Sequence, residues 1–242
     1  MSGSTPPSDR MAYNGRGLEP WYHAAKALVL PPIKLWFSWR FEGLEHIASD
    51  GPAIVASNHI SYLDPLANAY AVVKAGRRPR FLGKAELFEI PVVGSALRGA
   101  GQIPVVRGTG DQTPLVAAEA ALAAGEVVVI YPEGTVTKRP DFMPMEGRTG
   151  VVRLSLASGV PITPIASWGG QVVWQKSGKG SLKFGRPVWV KAGPPLDLSD
   201  RRDEANDRDS LHEMTAEVMS AITELVEDLH SRYPRRWSQD PG

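Results

Sequence analysis

Short apolar runs alternate with amphipathic stretches through the middle of the chain, which is the pattern of strands and helices taking turns. Pro52-Ala53-Ile54-Val55-Ala56-Ser57 predicts a short buried strand. Asp64-Pro65 then opens a helix to about Lys74, ended by Gly76, with Asp and Pro suited to the cap and the first helical position. Phe81-Leu82 predicts a strand, Val92 to Arg98 a helix, Gln102 to Val106 a strand, and Thr113 to Ala124 a helix closed by Gly125. The clearest strand is Val127-Val128-Val129-Ile130-Tyr131, an unbroken apolar run between Glu126 and Pro132, as a central strand covered on both faces requires. A helix from about Thr149 to Ser158 leads to Val160-Pro161-Ile162-Thr163-Pro164-Ile165, a strand or sheet edge.

Beyond this the spacing changes. Short β runs near Val172–Trp174, Leu182–Phe184 and Val188–Lys191 are punctuated by Gly and Pro and predict an antiparallel extension. Leu211, Met214, Val218, Ile222, Leu225 and Leu229 recur at helical spacing and predict a C-terminal amphipathic helix packed on the body. The whole reads as one α/β domain: a mixed, largely parallel central sheet flanked by helices.

The amino-terminal part has another character. Residues 1–20 are polar and rich in Gly, Pro and Ser, predicting a disordered lead with no apolar centre of a secretory signal. Residues 21–41 mix Trp21, Trp36 and Trp39 with Lys26, Lys34 and Arg40, and Pro31-Pro32 predicts a division into two short amphipathic helices. Aromatics interleaved with cations suit a membrane interface, although a helix covering the core shares the pattern. Prolines and lysines interrupt every candidate for a spanning helix, which needs about 20 apolar residues. Residues 42–232 form the domain with its C-terminal packing helix, and 233–242 a polar tail.

Composition narrows the chemistry. Of 242 residues, 27 are Lys or Arg and 26 Asp or Glu, a net charge of +1 that excludes a basic nucleic-acid arm. There is no cysteine, which removes disulfides, thiolate catalysis and Cys-ligated zinc.

Two stretches carry candidate chemistry. His59 follows a strand end and Asp64 begins the next helix. On a continuous helix residues five apart point roughly 140° from each other, so the pair meets only if a turn intervenes. Strand, turn, helix supplies that bend. His59 is then a general base and Asp64 its orienting partner, the nucleophile being a substrate hydroxyl because no Ser or Cys accompanies them. Asp64 is equally explained as a helix cap. The second stretch, Tyr131-Pro132-Glu133-Gly134-Thr135, also leaves the carboxyl end of a strand, where ligands bind in α/β sheets. The two therefore open at one sheet edge. Pro-Glu-Gly is also an ordinary turn. No two-His metal spacing is present, so no metal is expected.

These motifs, in this order and on these elements, resemble the glycerolipid acyltransferases typified by 1-acylglycerol-3-phosphate acyltransferase. The first family block is similar to Asn58-His59 through Asp64, and the second, a strand ending in a phosphate-binding Arg, is similar to Gly101 through Arg107. The third is similar to Tyr131 through Thr135, and a fourth, apolar block to Val160 through Ile165. Many members carry Arg-Ser after the third block, whereas Val136-Thr137 stand here and the basic residues Lys138, Arg139 and Arg148 follow.

The resemblance implies an enzyme: His59 and Asp64 catalytic, with Lys84, Arg107, Glu133, Gly134, Thr135 and Arg148 binding substrate. It implies transfer of a fatty acyl group from an acyl thioester to the free hydroxyl of 1-acylglycerol 3-phosphate, giving phosphatidic acid. The co-substrate is acyl-coenzyme A or acyl carrier protein, and no cofactor is needed. Membrane lipids are the partners, and the expected place is the cytoplasmic, inner face of the cell membrane, with residues 21–41 docking. The displaced basic residues keep a different acceptor open: glycerol 3-phosphate, another lysophospholipid or a glycolipid. A non-catalytic lipid-binding protein and a thioesterase are the remaining alternatives.

Overall fold

The apolar run at Val127 lies where its composition demands, in the interior of a sheet. The computed structural model describes residues 19–106, 113–175, 177–178 and 180–238. Its seven strands are β1 (Phe37–Glu42), β2 (Ala53–Ser57), β3 (Pro79–Lys84), β4 (Ile103–Val105), β5 (Val127–Ile130), β6 (Ile162–Trp168) and β7 (Arg186–Ala192). They stand in the order β1-β7-β6-β2-β5-β3-β4. All neighbours are parallel except β6 and β7. A mixed, largely parallel sheet within one α/β domain is thus what the chain forms.

Period-two alternation divides the core into two layers. Ile54, Ala56, Val128 and Ile130 face helices α4 (Thr113–Ala123), α5 (Gly150–Ser158) and α6 (Arg208–Arg232). Ala53, Val55, Val127 and Val129 face α2 (Asp64–Lys74), through its Ala67, Ala71 and Val72, and the short α3 (Val93–Gly99) follows β3. The long C-terminal helix α6 buries Leu211, Met214, Val218, Ile222, Val226 and Leu229, and Asp207 caps it by accepting the Ser210 amide at 2.8 Å. Val226 takes the fully buried place expected of Leu225.

Strand β6 is interior rather than an edge, although it contains Pro164. The Pro164 carbonyl accepts the Gly193 amide on the β7 side, and the β6–β7 ladder begins only at Ile165. The missing N–H thus falls just outside a ladder, where it costs no bond.

Three expectations are corrected. Residues 21–41 are not two helices: one helix, α1 (Glu19–Trp36), runs through Pro31 and Pro32, and Phe37 onward is strand β1, paired parallel with β7. The aromatic residues Phe37, Trp39 and Phe41 serve the sheet, with Trp39 stacked on Phe41 at 5.8 Å. Secondly, of the three late β runs only the last forms a strand; Gly170–Val172 is a 3-10 turn and Leu182 to Phe184 is irregular. Thirdly, the chain after α6 is not simply a polar tail. Tyr233 is buried, and its hydroxyl donates to the Pro187 carbonyl at 2.8 Å. Most of the expected lead, residues 1–18, lies outside the described residues, and among those described no helix is long and apolar enough to cross a membrane.

The antiparallel step between β6 and β7 has a positional effect. Trp168 at the end of β6 pairs with Trp189 midway along β7, so that Arg186, the start of β7, lies beyond the end of β6; Arg186 in turn pairs with Phe37 at the start of β1. The starts of β1 and β7 therefore share the sheet edge at which β2, β5 and β6 end.

Helix α6 seals one face of the sheet, so Ile222→Ala, at a fully buried position, is expected to cost about 2–5 kcal/mol in urea unfolding. A loss under about 1 kcal/mol would show that α6 does not seal it.

Candidate active site

At that shared edge the chain leaves β2 and turns sharply before α2. Asp64 is the first residue of α2, yet its carboxylate does not cap the helix. It points back into the turn. Oδ2 accepts the Ile60 amide at 2.6 Å, the Ser61 amide at 2.7 Å and His59 Nδ1 at 2.9 Å, while Oδ1 accepts the Ser167 hydroxyl at 3.1 Å. The capping explanation of Asp64 is thereby set aside. Because Oδ2 takes the Nδ1 proton, the basic nitrogen of His59 is Nε2. Among the described residues nothing hydrogen-bonds to Nε2, and the His59 side chain is 12% exposed.

The imidazole lies on a ring platform. His59 stacks on Tyr131 at 4.3 Å with 23° between planes, and Tyr131 on Phe81 at 6.3 Å. Asn68, one turn along α2 from Asp64, donates its amide to the Tyr131 hydroxyl at 3.0 Å and to Ser57 Oγ at 2.9 Å. Burial first, and the Asp64 charge second, hold the Tyr131 phenol well above its ordinary pKa. Tyr131 is therefore a neutral support.

Glu133 faces inward. It is 4% exposed; Oε1 accepts the His59 amide at 2.8 Å and Oε2 the Met145 amide at 3.1 Å. The Thr137 amide closes the same junction by donating to the His59 carbonyl at 2.7 Å. Burial pushes the Glu133 carboxyl up to about 7 against the pull of the two amides. The expected contact of Glu133 with a substrate is thus replaced by a brace between two loops.

Gly134 and Arg148 are neighbours. Gly134 has φ +69°, and a Cβ there would lie 3.1 Å from Arg148 Nε, so glycine lets the guanidinium cross the turn. Arg148 is exposed, and its amide donates to the Pro132 carbonyl at 2.9 Å. Thr135 is half-buried beside them. Arg139 is engaged by Asp141 through two bonds at 2.9 and 2.6 Å. Lys84 ends β3, 47% exposed, in an ion pair with Glu86 at 3.0 Å. Arg107 lies outside the described residues.

A family model described as Acyltransferase matches residues 38–168, more than half of the chain and every element just described except α1, β7 and α6. The chain belongs to the acyltransferase family. Among curated relatives, a chloroplastic 1-acyl-sn-glycerol-3-phosphate acyltransferase of Brassica napus is 30% identical over 164 residues, 66% of this chain and 46% of its own. A lyso-ornithine lipid O-acyltransferase of Pseudomonas aeruginosa is 31% identical, covering 62% of this chain and 52% of its own. This acyltransferase-family chain thus spans about half the length of those relatives. The crystal structure of the 1-acyl-sn-glycerophosphate acyltransferase from Thermotoga maritima shares the fold, with TM-score 0.62 and 24% identity over 91% of this chain and 81% of that one.

Two site residues, Ser167 and Gly170, had no signal of their own, and the partner of Asn58 had none either. Asn58 exchanges two bonds with the Ser167 backbone, at 3.0 and 2.8 Å, which ties the β2 exit to β6. Ser167 and Gly170 then close on Asp64; a Cβ on Gly170 would sit 3.0 Å from Ser61 Cβ and 3.2 Å from Asp64 Oδ1. Each is about a hundred residues from its partner, beyond the reach of any local motif.

Glu133 gives a pH signature. Its folded pKa lies above the usual 4.5, so its contribution to stability is full below pH 4.5 and is lost as pH rises to about 7. The stability advantage of wild type over Glu133→Gln, measured by urea unfolding at pH 5 and pH 8, is therefore expected to shrink by about 2.5 kcal/mol at the higher pH. A difference that grows with pH would overturn the assignment.

Proposed function

We propose that the chain transfers a fatty acyl group from an acyl thioester to the free hydroxyl of 1-acylglycerol 3-phosphate, giving phosphatidic acid. The observation that carries this reading is the His59–Asp64 pair at the open sheet edge, with Nε2 clear of hydrogen-bond partners among the described residues. Nε2 takes the proton of the acceptor hydroxyl as its oxygen attacks the thioester carbonyl. The tetrahedral intermediate then collapses, the C–S bond breaks, and the imidazolium returns the proton to the departing thiolate. Asp64 stabilises the imidazolium between these steps. A protein nucleophile is disfavoured: cysteine is absent, Ser61 Oγ donates to the Trp174 carbonyl at 2.7 Å, and Ser57 Oγ to the Asn58 carbonyl at 3.1 Å.

Anion recognition falls to exposed cations at the same rim. Arg148, placed across Gly134, is the best-situated described residue for the acceptor phosphate, and Arg107 and Lys84 are assigned to it with less structural support because Glu86 competes for Lys84. Gly134 and Thr135 border the glycerol end. Acyl-coenzyme A or acyl carrier protein brings the acyl group, without a cofactor. Helix α1, with Leu28 and Leu35 78% and 76% exposed, docks on the cytoplasmic, inner face of the cell membrane.

A second acceptor class is favoured by one observation. Where many family members place Arg-Ser, this chain has Val136-Thr137, and the nearby Arg139 is held by Asp141. A lysolipid with a head other than glycerol phosphate fits that reduced cation count.

Acyl transfer from palmitoyl- and oleoyl-coenzyme A to lysophosphatidic acid in mixed micelles tests both readings. Wild type is expected to form phosphatidic acid, and His59→Ala to lose about 10² to 10⁴ in kcat while keeping its fold. Product from lyso-ornithine lipid alone would install the second acceptor, and thiol release without new lipid would make the chain a thioesterase. Arg148→Ala is expected to raise the KM of the acceptor more than that of the donor; equal effects would remove Arg148 from the phosphate site.

A further inference from the structure

Beside the catalytic turn lies an apolar strip that neither proton transfer nor phosphate binding uses. Phe184 is 69% exposed, Leu182 67%, Trp174 54% and Tyr62 45%. Single exposed apolar side chains are ordinary, but these fall into two contacting groups. Trp36, at the end of α1, donates its indole N–H to the Leu182 carbonyl at 2.8 Å and packs edge-on against Phe184 at 5.8 Å. Trp174 packs edge-on against Tyr62 at 5.5 Å, and its carbonyl accepts the Tyr62 amide at 3.2 Å and the Ser61 hydroxyl. One aromatic group thus stands at the end of α1 and the other on the turn that holds Asp64, and the chain between them is tied where the Ser181 amide donates to the Val172 carbonyl at 3.1 Å.

Its charge selects the occupant. From Gly169 to Gly185 the sequence contains Lys176, Lys179 and Lys183 and no Asp or Glu. Lys183 stands exposed between Leu182 and Phe184. Tryptophan and phenylalanine beside lysine match a bilayer's headgroup zone, and cations without acids match anionic lipid. We propose that Trp174, Leu182, Lys183 and Phe184 form a second lipid-contacting element, distinct from α1, that seats in the headgroup layer of an anionic bilayer and sets the depth of the catalytic turn. The inference rests on the acceptor being a bilayer lipid, as proposed above. The bonds from the Trp174 carbonyl to Ser61 and Tyr62 are the means of transmission: where Trp174 sits, the turn carrying His59 sits.

The absence of cysteine makes a direct test available. Phe184→Cys in the full chain, labelled with the fluorophore NBD, is mixed with vesicles of phosphatidylglycerol and phosphatidylcholine. Emission is expected to brighten and shift to the blue and to be quenched by doxyl-labelled lipid, while the same label at Val116→Cys on α4 stays unchanged. Phosphatidylcholine vesicles alone are expected to bind the unlabelled chain at least about tenfold more weakly. Leu182→Glu combined with Phe184→Glu, with unchanged thermal melting, is expected to weaken cosedimentation with the mixed vesicles by at least about tenfold. A label at 184 that stays in water while the chain pellets with vesicles would overturn the proposal. So would a blue shift before any vesicle is added, which would mean that a second copy or the chain's own amino-terminal segment covers the strip. Vesicle binding needs no turnover, so a chain that inserts the label but acylates no acceptor leaves the lipid contact standing and removes the proposed function instead.

Discussion

The site depends on how the Asp64 carboxylate is held. Buried at 1% exposure, it has given up water, and a carboxylate in that position is costly unless donors replace the lost hydration. Four do so: an imidazole, two amides of its own turn, and a hydroxyl from β6. The amides fold the turn into the shape that places His59 against Asp64. The hydroxyl, with the reciprocal Asn58–Ser167 bonds, pins that turn to the neighbouring strand. One set of bonds thus solvates the acid, shapes the loop and orients the base, so a change in any of them is felt in all three.

The surrounding charges divide by depth. Groups that hold or steady the proton-transfer apparatus lie inside: Asp64 and Glu133, which braces the His59 amide, are buried, and Tyr131 is half-buried under the ring. Cations available to an anion are at the rim, with Arg148 supported by the Gly134 turn and Lys84 at the end of β3. The division is physically reasonable, because a proton acceptor gains from fixed geometry in a dry site, whereas a phosphate must arrive from solvent or headgroup region with its counter-charges still exposed. Glu133 shows what burial does where only two amides oppose it: its carboxyl titrates near neutrality, so the brace loses stability as the pH rises and the buried acid ionises.

The sequence made much of this legible, for reasons that differ by element. β5 and α2 were plain because an unbroken apolar run and an Asp-Pro start have few other structures to adopt. The two chemical motifs were readable as strand exits on one edge, which is how they lie. Asp64 was ambiguous, since the residue that makes a good helix cap also makes a good partner for histidine, and only the direction of its carboxylate separates the roles. Phe37 to Phe41 misled because aromatics spaced with cations suit an interfacial helix and an edge strand equally; pairing with β7, some 150 residues away, decided the matter. Glu133 was misassigned for a similar reason. A glutamate in a loop gives no local sign of whether its carboxylate faces the ligand or the loop's own backbone.

Topology explains why the exposed aromatic and the catalytic parts come together at all. Had β7 run parallel to β6, the chain after Trp168 would have had to cross the sheet and re-enter at the opposite edge, as parallel connections do. Instead it reverses at once. The irregular segment between β6 and β7 therefore stays at the edge where β2 and β5 release His59 and Glu133. Strand β1, parallel to β7, must begin at that same edge, which brings in the end of α1 with Trp36. One antiparallel pairing, remote from the catalytic residues in sequence, thus collects the exposed aromatic residues of two separate segments around the base. A bilayer meeting those residues meets the open face of His59 at the same time.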